Sequence, residues 1–183
     1  MEFHATTLPG VFKIVRKPHG DERGFLARAY CEREFGEKGL ITHWPQCNLT
    51  WTKRRGMLRG LHYQAPPLEE AKLISCLTGR IWDVIVDVRP DSPGFRKWEA
   101  FELDGEEDAQ LYVPGGYAHG FQCLTDDVRM FYQMSEFFAA SYQRGIRWDD
   151  PSLAIPWPIS EPEVSEKDRS LPYLEAGPTT TLR

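Results

Sequence analysis

The stretch Leu77-Thr78-Gly79-Arg80 followed by Ile81-Trp82-Asp83-Val84-Ile85-Val86-Asp87-Val88 constrains this chain more than any other. A turn glycine leads into a run in which Trp82, Val84, Val86 and Val88 fall on one face, which is the two-residue period of an extended strand. That face is expected to be core. Asp83 and Asp87 share the opposite face with Ile81 and Ile85. This second face is either solvated or, if the sheet closes on itself, lines an interior, and periodicity does not choose between the two.

Strand-like runs of the same kind recur between glycine and proline turns at residues 11–15, 41–51, 57–64, 71–77, 98–103, 110–113, 119–124 and 128–135. One short helix is expected over residues 31–38, ended by Gly39. Beyond Ser135 the pattern loosens into Trp148-Asp149-Asp150-Pro151 and Ile155-Pro156-Trp157-Pro158, a proline-rich wrap. Many short strands with few helices mean an all-β sandwich or barrel. With 183 residues and 41% hydrophobic composition, the chain suffices for one core, so residues 1–176 are read as a single domain. Residues 177–183 lack core formers and are read as a frayed tail.

Charge and composition narrow the partners. A formal charge of −5 opposes binding to nucleic acid or an anionic membrane, although a local basic pocket could still take a phosphorylated ligand. The Lys53-Arg54-Arg55 cluster is either a solvated loop or an entry funnel for an anionic substrate. No apolar run reaches the roughly 18 residues that a membrane helix needs. Met1-Glu2-Phe3-His4 lacks the basic and apolar regions of a signal peptide, so a cytoplasmic protein is expected. The four cysteines, Cys31, Cys47, Cys76 and Cys123, form no Cys-x-x-Cys pair and are read as reduced and mostly buried.

Chemistry concentrates in Gly56-Met57-Leu58-Arg59-Gly60-Leu61-His62-Tyr63-Gln64. A permanent guanidinium and an imidazole, the side chain that exchanges protons near neutrality, lie three residues apart there. Such a pair suits a site that binds an anion and moves a proton. A bland alternative, an exposed arginine and a satisfied core histidine, stays open from this stretch alone. Gly56 precedes His62 by six positions, and Pro114, Gly116 and His119 stand at Pro-x-Gly-x-x-His spacing. Together these resemble the two motifs of the cupin superfamily. That resemblance implies a double-sheet jelly-roll barrel with His62 and His119 pointing inward. Metal-binding cupins carry a second histidine where this chain has Gln64. Glu69 falls near their carboxylate position, but a neutral amide is a poor ligand for a divalent transition metal, so no metal is expected.

A closer resemblance covers about Asp21 to Asp168. In order it comprises Asp21-x-Arg23-Gly24, Leu58 to Gln64, Ala71-Lys72-Leu73, Asp83-Val84-x-Val86-Asp87-x-Arg89-x-x-Ser92-Pro93, Val113 to Phe121, Tyr132, Trp148-x-Asp150-Pro151, Trp157-Pro158 and Ser165-x-Lys167-Asp168. The chain is similar to the dTDP-4-dehydrorhamnose 3,5-epimerase family. This implies a cofactor-free isomerase, a homodimer, acting on a nucleotide-diphospho-4-keto-6-deoxyhexose in rhamnose or related deoxysugar biosynthesis. A ketone at C4 acidifies the hydrogens on C3 and C5, so removing and returning a proton suffices.

By resemblance, His62 is the base and Asp168 the carboxylate that orients it. Lys72 stabilises the enolate oxygen, and Tyr132, a phenol with an ordinary pKa of about 10, returns a proton on the opposite face. Arg59 takes the diphosphate, with Arg23 and Lys167 as further phosphate or nucleotide contacts. Phe25, Gln46, Asn48 and Phe138 sit where the family contacts the base and sugar, and His119 is a pocket wall or a second hydrogen-bonding histidine. The N-terminal strands of such dimers cross to the partner, which would put residues 11–15 at an interface.

Three departures bear on substrate. Arg28 stands where a glutamate is usual, Gln46-Cys47-Asn48 replaces Gln-Asp-Asn, and Phe137-Phe138 replaces Tyr-Tyr. These leave open a cytosine rather than thymine base, and epimerisation at C3 or C5 alone. A metal-dependent cupin and a non-catalytic sugar-nucleotide binder are the readings from other classes.

Overall fold

Alternation along the chain becomes two sheets in the computed structural model, which describes residues 1–174. The described strands are β1 (Glu2–Ala5), β2 (Phe12–Val15), β3 (His19–Asp21), β4 (Gly24–Leu26), β5 (Gln46–Thr52), β6 (Met57–Gln64) and β7 (Lys72–Thr78). They continue with β8 (Arg80–Asp87), β9 (Trp98–Asp104), β10 (Ala109–Val113), β11 (Tyr117–Cys123), β12 (Val128–Met134), β13 (Gln143–Gly145) and β14 (Glu163–Val164). Two short helices, α1 (Glu32–Gly36) and α2 (Glu166–Arg169), complete the set. One sheet has the order β1-β2-β10-β7-β12-β5 and the other β13-β6-β11-β8-β9. β14 adds in parallel to β6, and β3 pairs only with β4. This is an all-β fold of cupin jelly-roll type. The expected tail, residues 177–183, lies outside the described residues.

The main apolar core gathers Ile74, Ile81, Ile85, Leu111, Phe121, Val128 and Met130 from strands of both sheets. This settles which face of β8 turns inward. Ile81 and Ile85 belong to that core, and Asp83 and Asp87 on the same face are wholly buried. The face expected to be core is also buried, but from outside. Val84, Val86 and Val88 pack with Ile146, Leu153 and the wrap residues Ile155 and Trp157. Trp82 meets Trp157 edge to face with centroids 5.3 Å apart. The proline-rich wrap therefore acts as a third layer and covers a sheet face that an antiparallel sheet can otherwise leave to water.

Other boundaries also shift. β5 begins at Gln46 rather than at residue 41, because Pro45 has no N–H for a ladder, and Trp44 instead packs with Phe35 and Tyr112. α1 spans Glu32–Gly36 within the expected helix, and Gly39 adopts φ +69 just beyond it. A few short helices were expected, but the place of the second was not. Its signal is local: Ser165 is an N-cap whose Oγ accepts a hydrogen bond from the Asp168 N–H at 3.1 Å. Of the cysteines only Cys76 and Cys123 are buried, Cys31 is half-buried, and Cys47 is exposed because it lies on the outer face of edge strand β5. Burial pushes the Cys76 and Cys123 thiols up to about 11. No described helix is long and apolar enough to cross a membrane.

Candidate active site

A cleft of about 360 Å³ opens where the two sheets face each other. Its walls follow from strand alternation. Gln46, Asn48 and Thr50 of β5 turn in, while Cys47, Leu49 and Trp51 turn out. Lys72 of β7 and Tyr132 and Met134 of β12 complete that wall, and His62 of β6 with His119 and Phe121 of β11 form the other.

Arg59 and His62 both line the cleft, which regular alternation would forbid for residues three apart. A bulge resolves this. On β11, His119 pairs with His62 and Phe121 with Arg59, so three steps of β6 match two of β11. Gly60 occupies the bulge at φ +113, and a Cβ there would stand 2.6 Å from Gly120 Cα. Glycine is required by the conformation and by the close approach of the two backbones.

The bulge also prepares the Asp168 carboxylate. His62 Nε2 lies 2.7 Å from Asp168 Oδ1, and the Gly60 N–H donates to Asp168 Oδ2 at 3.2 Å. Burial alone would raise the pKa of Asp168, but the His62 contact, the Gly60 N–H and the Ser165 hydroxyl outweigh it and hold the carboxyl below its usual range. An ionised Asp168 fixes the His62 proton on Nε2 and leaves Nδ1 as a free base. Tyr132 stands on the opposing sheet. Burial raises its phenol above the ordinary value, against the pull of Asn48 and Arg59, so it keeps its proton as a donor. Lys72 Nζ binds Glu70 Oε1 at 2.6 Å, and both side chains are about nine-tenths buried. A buried cation thus faces the cleft beside a carboxylate that sequence reasoning missed.

The outer end of the cleft is built to hold its shape. Arg59 Nε donates to Thr52 Oγ1 at 3.0 Å and Nη2 to the Trp51 carbonyl at 3.4 Å. Gln46 Oε1 accepts the Phe138 N–H at 3.0 Å, and Gln46 Nε2 reaches Asn48 Oδ1 at 3.5 Å. Lys167 Nζ donates to Gln143 Oε1 at 3.0 Å. Gln64 gives both N–H groups to backbone carbonyls, of Leu68 at 2.9 Å and Phe137 at 3.2 Å. Its Oε1 accepts the Ala139 N–H at 2.6 Å. Gln64 therefore fastens the loop that presents Phe138, and its amide oxygen is already committed. Among the described residues no three His, Cys, Asp or Glu side chains converge as a metal ion requires.

Ten of the twelve residues singled out from the sequence meet here: Arg59, His62, Lys72, Asp168, Tyr132, His119, Gln46, Asn48, Phe138 and Lys167. Arg23 and Phe25 do not. They lie on the β3-β4 hairpin, where Arg23 Nη2 binds Asp21 Oδ2 at 2.5 Å and Phe25 is 72% exposed. The Asp87, Arg89 and Ser92 motif is structural. Arg89 grips Asp87 at 2.6 Å and donates to the Tyr117 hydroxyl at 2.7 Å. Glu70 and Gln143 reach the site only through the fold. Gly60 and Ser165 lie within the sequence motifs, and the fold supplies their tasks, the bulge and the cap on Asp168.

Comparison with known proteins shows the family. The family model for dTDP-4-dehydrorhamnose 3,5-epimerase matches residues 5–176. The dTDP-4-dehydrorhamnose 3,5-epimerase of Shigella flexneri is 40% identical over 164 residues, covering 89% of this chain and 90% of that protein. The Bacillus anthracis enzyme of the same name, solved with TDP and PPi bound, superposes with TM-score 0.91 at 38% identity, covering 94% of this chain and 99% of that one. ChmJ, a 3'-monoepimerase from Streptomyces bikiniensis solved with dTDP-quinovose, gives TM-score 0.88 at 33% identity over 93% of this chain and 87% of its own. With the family model spanning both sheets and the cleft, this chain belongs to the dTDP-4-dehydrorhamnose 3,5-epimerase family.

Proposed function

We propose that the protein epimerises C3, C5 or both of a nucleotide-diphospho-4-keto-6-deoxyhexose by proton removal and return through an enolate. The observation that carries this reading is the His62-Asp168 dyad facing a protonated phenol across one cleft, with Lys72 between the sheets. The free Nδ1 of His62 takes the proton α to the ketone, Lys72 meets the developing oxyanion, and Tyr132 supplies a proton from the other wall. Inversion follows because acid and base stand on opposite sides. The exposed side of Arg59, fixed by Thr52, suits a diphosphate, and Phe138 offers a ring for the base to stack on.

The β3-β4 hairpin leaves Phe25 and Leu26 at 72% and 78% exposure, an unusual state for large apolar side chains. We infer a homodimer in which this hairpin serves the partner's cleft, so that Arg23 and Phe25 act on the nucleotide there. Incubation in deuterated buffer tests the reaction. Deuterium should enter C3 or C5 of a dTDP-linked 4-keto-6-deoxyhexose, and no incorporation with either the dTDP or the CDP sugar would refute it.

A further inference from the structure

The cleft contains a second histidine-carboxylate contact, between His119 and Asp83. Asp83 is wholly buried, and neither of its carboxyl oxygens makes a hydrogen bond. His119 Nε2 stands 2.7 Å from Asp83 Oδ1 but approaches off the N–H axis, so it too is unpaired. Asp87 sits four residues further along the same strand and face, equally buried, and is saturated by Arg89 and Ser92. Poor satisfaction is therefore particular to Asp83.

Burial raises the pKa of Asp83, and the opposing pull of His119, the Val84 N–H and Lys72 does not cancel it. The groups facing Asp83 are few: His119 from β11, Lys72 and the Cys76 thiol from β7, and Phe101 opposite it on β9. Lys72 is itself held by Glu70. A wholly buried carboxyl with both oxygens unpaired is costly as a bare charge, so its 2.7 Å contact with His119 favours a proton shared within the pair. With one extra proton in the pair, whether it rests on the carboxyl or on Nε2, Nδ1 of His119 must carry a hydrogen. That nitrogen is the one left for the cleft, which His119 lines.

We propose that Asp83 is a positioning residue that acts through His119, holding one proton between its carboxyl and Nε2 so that the Nδ1–H donates to the ketone oxygen of the substrate. This rests on the epimerase reading above. When His62 takes the proton from carbon, the C–H pair becomes the carbon-carbon double bond and the carbonyl π pair moves to oxygen. The His119 Nδ1–H and Lys72 hydrogen-bond to that oxygen without giving up their protons, and protonation at carbon reverses the electron flow. Substrate engagement would also draw the skewed Asp83-His119 contact into line.

The test combines nitrogen-15 NMR of histidine-labelled protein with a double-mutant cycle. In substrate-free wild type at neutral pH, His119 Nδ1 is expected to be protonated, and Asp83→Leu should remove that signature. Asp83→Leu should lower kcat by about 10- to 100-fold with KM changed less than about threefold, whereas Asp83→Asn, whose amide N–H can still donate to Nε2, should retain most of the turnover. In a His119→Asn background Asp83→Leu should have less than about a twofold effect, because its route is already cut. An unprotonated Nδ1 in wild type, or an undiminished Asp83 effect without His119, overturns the proposal. Absence of any exchange by wild type would instead overturn the epimerase reading, while the NMR result still judges the pair.

Discussion

His62-Asp168 and His119-Asp83 place a histidine Nε2 at the same 2.7 Å from a carboxylate oxygen, on neighbouring strands and in one cleft. Distance does not separate them; the solvation of the carboxylate does. Asp168 receives the Gly60 N–H besides His62 and is held below its usual range, whereas neither Asp83 oxygen has a well-aligned donor and burial pushes that carboxyl the other way. In the proposed mechanism His62 accordingly acts as the base through Nδ1, and its neighbour His119 donates through its Nδ1–H. Two chemically identical pairs acquire opposite roles from their surroundings alone.

The sharpest way to break this contrast is His62→Asn, which removes the base and should lower kcat by about a thousandfold or more, with carbon-bound deuterium exchange lost in step. If His119 supported exchange in that variant, the division of roles would fail. Asp168→Asn should cost about a hundredfold in kcat. It should also lower Tm at neutral pH. A carboxyl held below its ordinary pKa stabilises the fold above that range and loses the contribution as pH falls through its folded value, so the Tm difference should close in acid. Tyr132→Phe should slow inversion by about a hundredfold while proton exchange with the base persists, measured as solvent deuterium entering recovered, uninverted substrate.

The smallest effect has the opposite sign. The raised pKa of Asp83 means that its ionisation opposes folding: stability is complete below the ordinary carboxylate range and declines as pH rises through the folded value. Asp83→Asn should therefore raise Tm at neutral pH by a few degrees, with the gain vanishing in acid. A Tm that falls at neutral pH would show that Asp83 is structurally paired and erase the contrast with Asp168.

Much of this site was legible in advance. Motifs quoted in register identified the family, and ten of the twelve residues chosen converge on the cleft. What spacing alone left open has physical causes. Arg23 and Phe25 sit on a hairpin that hydrogen-bonds to no other described strand, so in the proposed homodimer their position relative to a cleft depends on quaternary contacts. Glu70 and Gln143 gain their roles from Lys72 and Lys167, and such side-chain pairings follow from packing rather than from spacing. Gln64 was read as a missing metal ligand. The fold gives it a further task, holding the Phe138 loop through three backbone hydrogen bonds.

The sequence by itself determined the strands, their alternation and the residue types of the site, because the two-residue period and the glycine turns are local properties of the chain. Tertiary structure decided which face of β8 became interior, since the answer depends on a wrap some seventy residues later covering the other face. It also decided that Arg59 and His62 point the same way, because a bulge against β11 adds one residue to β6. It brought Asp168 to His62 across 106 residues and left Asp83 without a well-aligned donor. Charge state in a buried site is set by neighbours in space, and those neighbours exist only once the sheets have closed.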